Sequence, residues 1–204
     1  MAGGQGHRGG PLRKKAPKPS QKRPPKPELI AVDGVDAVTV LADARAALGS
    51  PSRGGISKWD ASGVFQELAV AEDAAGAPSA RTLLLLYAAD LAFRLRWQIR
   101  PALAEGHTVV AAPYVDTAMA FGRAAGLQRD WLVNLFRFAP RPRRRRFAHP
   151  AGRRSAVVKD GFIGFSCERM ATGRTARQRR QMIDATAAQL RRSERGAAPR
   201  RPRS

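Results

Sequence analysis

A turn between the first apolar run and the first helical pattern holds the residues best suited to phosphate chemistry. Leu29–Val32 predicts a buried strand, and Val38–Leu48 predicts a helix. Backbone amide groups at a helix start bind phosphate, and carboxylates or hydroxyls hold its Mg²⁺ counterion. The candidate site residues of this turn are Asp33, Gly34, Asp36 and Thr39.

The phosphate-loop pattern GxxxxGK[ST] fits this turn incompletely. Counting from Gly34 puts Thr39, Val40 and Leu41 in the glycine, lysine and Ser/Thr slots. A shortened loop would put Thr39 in the hydroxyl slot, but no lysine lies nearby in either register. Because the lysine offsets phosphate charge, its loss predicts a substantially higher barrier to phosphoryl transfer.

The cysteine and histidine positions exclude two kinds of site. Cys167 stands alone and cannot form an internal disulfide, and the histidines at 7, 107 and 149 lack zinc-ligand spacing. We therefore expect no metal site built from these residues. The longest wholly apolar run, Leu83 to Ala89, is too short to span a bilayer, and the N-terminal positive charges precede no apolar stretch. We expect a soluble, cytoplasmic protein with no membrane partner.

Strand and helix patterns alternate between residues 28 and 140. A second buried strand is predicted over Thr108–Ala112. The predicted helices are Val38–Leu48 stopped by Gly49, Trp59–Ala75, Ser79–Gly106 with a kink or restart at Pro101, Val115–Ala125, and Asp130–Phe138 after Gly126. This alternation implies an α/β layered fold with a parallel sheet. Residues 157–158 and 162–167 are weaker strand candidates, and 175–193 predicts a basic helix with Met182, Ile183 and Leu190 on one side.

Three stretches of this chain have a distinctive order and spacing. They are LIAVDGVDAVTVLADARAALG at 29–49, LLLLYAADLAFRLRWQIRPALAEGHTVVAAPYVDTAMAFGRAAGL at 83–127 and WLVNLFRFAP at 131–140. Together they resemble thymidylate kinases, the P-loop nucleoside monophosphate kinases that phosphorylate dTMP with ATP. The resemblance implies a three-layer P-loop NTPase-like domain over residues 28–195, with a parallel sheet flanked by helices. It also implies ATP and Mg²⁺ as cofactors and dTMP as the nucleotide partner.

The resemblance further implies residues on the dTMP phosphate side. Arg53, in Pro51-Ser52-Arg53, matches an arginine that some members use to meet the dTMP phosphate. Asp90 matches the family's Ala-Asp-Arg-Ala region, whose phosphate-facing arginine is here Leu91. Arg94 either replaces that arginine or forms a surface ion pair with Asp90 at i, i+4.

The resemblance also implies residues for the base and for a lid. Tyr114 is retained from the family's Asp-Arg-Tyr element. Phe121 in the next helix either stacks on the base or packs in the core, and Arg123 would hydrogen-bond to the base. Arg169, Arg174 and Arg177 resemble the arginine-bearing lid that closes over ATP.

Several charged positions of the family are uncharged here. Ala112 and Pro113 stand where the family has Asp and Arg, and neither binds Mg²⁺ or phosphate. With Val40 and Leu91, these losses predict a thymidylate-kinase-like pseudoenzyme with weak or lost activity and no assignable catalytic residue. The alternative is an active nucleoside monophosphate kinase with relocated basic residues, namely Lys58, Arg94 and Arg53.

Positive charge is concentrated in the two flanks of a chain with formal net charge +21. Residues 1–27 carry eight Lys/Arg and no acid, 28–140 carry ten against twelve, and 141–204 carry nineteen against four. We expect disordered tails at 1–27 and 196–204. Such tails are either merely solvated or bind nucleic acid, which gives a third function: a nucleic-acid-associated protein on an inactive kinase scaffold.

The arginine-rich segment 141–160 is predicted to be irregular, because prolines and like charges disfavour a central strand. Either the chain diverged and residues 157–158 or 162–167 supply the missing strand, or the reading frame slipped past residue 140. Before this segment, Trp131, Leu132 and Leu135 predict an exposed apolar helix face that suits a homodimer.

Overall fold

Four parallel strands form the sheet of the computed structural model, which describes residues 26–65, 78–149 and 176–197. The strands lie in the order β2-β3-β1-β4. They are β1 (Leu29–Gly34), β2 (Gly54–Lys58), β3 (Thr108–Ala112) and β4 (Arg144–Ala148). The predicted α/β fold with a parallel sheet and flanking helices is confirmed.

Helices connect the strands and cover the sheet. They are α1 (Ala37–Leu48), α2 (Ala80–Arg94), α3 (Arg100–Ala104), α4 (Val115–Ala124), α5 (Arg129–Leu135) and α6 (Ala176–Ala197). A π-helical turn, Leu95–Ile99, joins α2 to α3 directly before Pro101, so the irregular helix predicted over 79–106 is confirmed. A 3-10 turn, Pro51–Arg53, precedes β2.

Some sequence predictions concern residues whose structure is not described. In the helix predicted over 59–75, residues 59–62 form a turn, Val64 and Phe65 are helical, and 66–77 lie outside the described residues. The strand candidates at 157–158 and 162–167, the tail at 1–25 and residues 198–204 also lie outside them.

The centre of the sheet is formed by β1 and β3. Every residue of both strands is buried, as expected for parallel strands covered on both faces. Leu29 pairs in register with Val109, and α1 packs across the sheet. On β1 lies α4, which packs in turn against α6. This arrangement fixes which loops meet at the carboxyl ends of the strands. Among the described helices, none is long and apolar enough to cross a membrane.

The prediction that residues 141–160 are irregular is wrong for Arg144–Ala148, which form β4 beside β1. Only Ala148 is buried, while Arg144, Arg145 and Arg146 are exposed. Since β4 is an edge strand of the described sheet, its backbone pairs with β1 while its arginine side chains remain in water. An arginine run is therefore compatible with an edge strand even though it would not suit a central one.

The apolar face of α5 is packed within the chain. Leu132 is fully buried, so the prediction that it is exposed is wrong. Trp131 and Leu135 are half-buried against the core, and the Arg81 guanidinium lies 5.1 Å from the centre of the Trp131 ring. Gly122 of α4 explains the close packing, because a Cβ there would lie 2.4 Å from a Leu132 methyl group.

Candidate functional site

The carboxyl ends of β1, β2 and β3 meet at one edge of the sheet, the edge where ligands bind in open α/β sheets. Three connections leave this edge: the turn from β1 to α1, the loop that follows Lys58, and the loop from β3 to α4. The side chains of these connections, together with those of α2, form the candidate site.

The connection from β1 to α1 consists of Val35 and Asp36 alone. Asp36 caps α1, since one carboxylate oxygen accepts from the backbone N–H of Val38 at 3.2 Å and the other accepts from the Thr39 hydroxyl. Residues from Ala37 onward, which the phosphate-loop pattern assigned partly to a loop, are helical. The helix start therefore holds a carboxylate of this chain at the position suited to a phosphate.

Two other positions of the phosphate-loop pattern serve packing. Val40, in the lysine slot, is buried at 1% exposure. A Cβ on Gly34 would lie 2.7 Å from both a Val40 methyl group and the Ala148 carbonyl oxygen. Gly34 thus allows α1 and β4 to approach the end of β1.

Asp33 joins the end of β1 to the start of α4. Its Oδ1 accepts from the backbone N–H groups of Tyr114 and Thr117, both at 3.0 Å, and from the Thr117 hydroxyl at 2.8 Å. The Gly34 N–H also donates to the Thr117 hydroxyl oxygen, at 3.1 Å. A carboxylate of this chain thus caps the second helix start at this edge, as Asp36 caps the first.

The pKa of Asp33 is raised to about 7. Burial is the main cause, and the negative charge of Asp116 adds to it, while the hydrogen bonds from Thr117 and Tyr114 act in the opposite direction. Its Oδ2 is buried and has no hydrogen-bond partner among the described residues. Asp33 therefore exchanges its proton near neutral pH.

Asp90 and Arg94 form a buried ion pair, with Nε of Arg94 2.9 Å from Oδ2 of Asp90 and both side chains fully buried. The i, i+4 pair that the sequence predicts is present, but its predicted surface location is wrong. The Arg94 guanidinium donates to the Pro113 carbonyl oxygen at 3.0 Å. Arg94 is therefore used to hold the loop after β3 and is not presented to a phosphate.

The Asp90 carboxylate holds the loop after β2. It accepts from the backbone N–H groups of Asp60 at 3.2 Å and Ser62 at 3.1 Å, and from the Ser62 hydroxyl. Asp60 has a positive φ of 59°, so this contact supports an uncommon backbone conformation. The Asp90–Arg94 pair thus positions two of the three loops at the carboxyl edge.

Two buried tyrosines complete this layer. The Tyr87 hydroxyl donates to the Tyr114 carbonyl oxygen, and the Tyr114 hydroxyl donates to the Pro140 carbonyl oxygen at 2.7 Å. Burial raises the pKa of both tyrosines well above the usual value, so both hydroxyls stay protonated as donors. Tyr114 is therefore a structural link between β3 and the segment that leads to β4.

The remaining predicted site residues do not come together at this edge. Arg53 precedes β2 and lies at the amino end of the sheet, opposite the site. Phe121 is fully buried, in agreement with the core alternative, and Arg123 is exposed and donates to the Leu127 carbonyl oxygen. Arg177 is exposed near the start of α6, and 169 and 174 lie outside the described residues.

Sequence reasoning missed several residues of this edge. Arg145 of β4 forms a bidentate ion pair with Asp116 of α4, which raises the pKa of Arg145 further. Thr117 was also missed; its only signal is a hydroxyl in the first turn of a helix that follows a strand. Trp59 stacks with Tyr87, with ring centres 6.0 Å apart, a contact that only the chain path reveals.

A hollow of about 490 Å³ lies beside β2. Its polar lining includes Lys58, Asp60 and Ser57, whose hydroxyl donates to the Gln98 side-chain oxygen at 2.7 Å. Lys58 is the last residue of β2, so it lies at the carboxyl edge of the sheet, and its side chain is exposed.

These elements define a parallel-sheet α/β protein with helices on both faces and its candidate site at the carboxyl ends of the strands. The structure is similar to the crystal structure of thymidylate kinase from Ehrlichia chaffeensis, with a TM-score of 0.58, 12% identity and coverage of 84% of each chain. This likeness identifies the fold.

Similarity in sequence extends over part of the chain. The chain is 43% identical over 58 residues to a probable thymidylate kinase of Pyrococcus horikoshii. These 58 residues span 28% of the length of each protein. The chain is also 30% identical over 123 residues to a probable thymidylate kinase of Pyrobaculum calidifontis. That alignment covers 56% of this chain and 60% of the Pyrobaculum protein. No family model matches the chain.

Proposed function

We propose that this chain is a divergent member of the thymidylate kinase family in which phosphoryl transfer from ATP to dTMP is weak or lost. The observation that carries the proposal is the state of the two helix starts at the carboxyl edge. Asp36 caps α1 and Asp33 caps α4, so carboxylates of this chain take the positions where helix amides would bind phosphate.

The residues of this edge do not fit ATP with Mg²⁺. The turn from Asp33 to Leu41 contains no lysine, and its two carboxylates are both engaged in capping. Ala112, the last residue of the central β3, and Pro113, which follows it, are buried and uncharged. Phosphoryl transfer depends on neutralising phosphate charge, and the turn from Asp33 to Leu41 supplies no positively charged side chain for it.

The direct test is a coupled assay of ADP release by the purified full chain with ATP, Mg²⁺ and dTMP. Kinases typically turn over about 1–100 times per second. We expect a rate below about one-hundredth of that lower limit, because preorganised positive groups supply much of such catalysis. We also expect no rise in the unfolding midpoint with ATP and Mg²⁺. Turnover at ordinary kinase rates would overturn the proposal.

The same assay addresses the alternative of relocated basic residues. If turnover were at kinase rates, loss of that rate in Lys58→Ala but not in Arg45→Ala would assign the phosphate contact to Lys58. Both side chains are exposed, so both substitutions are expected to leave the fold intact. Arg94 is unsuitable as the only test because it also holds the loop after β3.

A further inference from the structure

Exposed arginines are concentrated on β4 and on the segment that leads to it, a surface that the proposed function does not use. We call this surface the arginine edge, and define it as residues 137–147. It holds six arginines and no acidic residue. They are Arg137, Arg141, Arg143, Arg144, Arg145 and Arg146.

Acidic partners neutralise only part of this charge. Glu28 is shared by Arg143, at 3.9 Å, and by Arg144, whereas Asp116 pairs with Arg145. The side chains of Arg143 and Arg144 remain 65% and 53% exposed. Within the described part of the chain, Arg137, Arg141 and Arg146 form no ion pair. The edge therefore keeps a clear excess of positive charge.

A groove lies beside β4 and contains part of the arginine edge. This groove of about 610 Å³ is lined by Pro142, Arg143, Arg145, Arg146 and Phe147 together with the acidic residues Asp43 and Glu194. Glu194 is hydrogen-bonded to His149 at 2.8 Å. Because successive side chains of a strand alternate in direction, Arg144 and Arg146 lie on one face of β4, about 6.6 Å apart along the strand.

Aromatic side chains lie among these arginines. Phe138 is 37% exposed and lies in the chain directly after Arg137. The Arg145 guanidinium lies over the half-buried Phe147 ring, 5.6 Å from its centre. Proteins that bind single-stranded nucleic acid combine a basic groove for the backbone with aromatic side chains for base stacking. Charge alone would suit any polyanion, but the exposed ring of Phe138 in the same segment favours a ligand with unpaired bases.

We propose that the arginine edge binds single-stranded nucleic acid. Arg141, Arg143 and Arg146 contact backbone phosphates, and Phe138 stacks on a base. This inference does not depend on the proposed loss of kinase activity, since none of its contact residues belongs to the turn after β1 or to the loop after β3.

The test is fluorescence anisotropy of a labelled 20-nucleotide oligodeoxythymidylate with the purified full chain, across a range of NaCl concentrations. The variant Arg141→Gln/Arg146→Gln is compared with Arg96→Gln/Arg100→Gln, which removes equal charge from exposed positions outside the arginine edge, at the π-helical turn after α2 and the residue that follows it. For single strands each phosphate contact contributes about 0.7 to the salt slope of the binding constant. We expect the first variant to lose about 1.4 from this slope and the control to lose little.

Stacking is tested with Phe138→Ala against Phe93→Ala, whose ring is similarly exposed at 39%. We expect Phe138→Ala to weaken binding at fixed salt by at least about five-fold with an unchanged slope, and Phe93→Ala to have no effect. Circular dichroism melting checks that all four variants keep the unfolding midpoint of the parent. Equal losses in the two double variants would show that only total charge matters and would overturn the proposal. Equal behaviour of the two phenylalanine variants would overturn the stacking contact.

Discussion

At the scale of single residues, Asp33 has a structural role in the candidate site. It accepts hydrogen bonds from Tyr114 and Thr117 and thereby attaches the start of α4 to the end of β1. The same burial that makes these bonds strong disfavours its charged form and raises its pKa to about 7.

We expect Asp33 to make stability fall as the pH rises. The pKa of Asp33 is about 7 in the folded chain and near 3.8 when the side chain is exposed. Between these two pH values the folded state keeps the proton, whereas the unfolded state has lost it. The resulting stabilisation is fully present below about pH 4 and lost as the pH rises to about 7, with a slope of at most about 1.4 kcal/mol per pH unit.

Asp33→Asn keeps an acceptor oxygen and removes the titration. We therefore expect urea unfolding of this variant between pH 5 and pH 8 to lack the slope that Asp33 contributes to the parent. Asp130→Asn, at an exposed position, serves as the control. An identical pH dependence in parent and Asp33→Asn would contradict the assignment.

The buried Asp90–Arg94 pair makes a second prediction at this scale. Arg94→Met leaves the Asp90 carboxylate buried without its partner, so we expect a loss of about 3–5 kcal/mol in the free energy of unfolding. Adding Asp90→Asn removes the unpaired charge and is expected to recover part of that loss. Chemical denaturation measures both, with the exposed Arg96→Met as control; no recovery in the double variant would argue against a charge effect.

At the scale of elements, the junction of β1 with α1 and β4 decides what the first turn can do. Its short connection places the first helical turn directly after the strand, and Gly34 leaves space for both neighbours. A loop that surrounds a phosphate needs more chain than Val35 and Asp36 provide.

We expect Gly34→Ala to destabilise the protein by about 1–3 kcal/mol, because its new methyl group would lie 2.7 Å from the Ala148 carbonyl oxygen and a Val40 methyl group. Gly55→Ala in β2 is the matched control, since no atom lies within 4 Å of its added Cβ. Thermal or urea unfolding of the two variants tests the difference. Equal stability would mean that the junction is looser than described.

At the scale of the whole molecule, charge is distributed unevenly around a neutral centre. The formal net charge is +21, yet residues 28–140 have slightly more acids than basic residues. The arginine edge therefore adds positive charge along β4, an outer strand of the described sheet, and its Arg145 pairs with Asp116 near the start of α4.

We expect NaCl to stabilise the full chain, because screening weakens repulsion among its positive charges. Raising NaCl from about 0.05 to 0.5 M should increase the unfolding midpoint by about 2–4 °C, the shift that about 1 kcal/mol gives in a chain of this size. Arg141→Gln/Arg146→Gln should show a smaller increase, and scanning calorimetry measures both. A decrease with salt would show that ion pairs outweigh repulsion.

The sequence by itself determined the parallel α/β fold and the central strands β1 and β3, but it did not predict β2 (Gly54–Lys58) or β4 (Arg144–Ala148). The apolar run Leu29–Val32 forms the buried strand β1, whereas the longer run Leu83–Ala89 lies in α2, and Gly49 and Gly106 end helices for local reasons. It also showed that Val40, Ala112 and Pro113 are uncharged, since residue type alone decides this.

Only the tertiary structure decided the environment of each polar residue. Burial of the Asp90–Arg94 pair depends on loops distant in sequence, and the capping of α4 by Asp33 depends on strands that meet in space. The place of β4 was also decided there, because an arginine run forms a strand when it lies at a sheet edge and its side chains reach water. Local sequence does not encode whether a strand lies at the edge of a sheet or whether a side chain is buried. These two properties determine the pKa and protonation of a residue and its access to ligands.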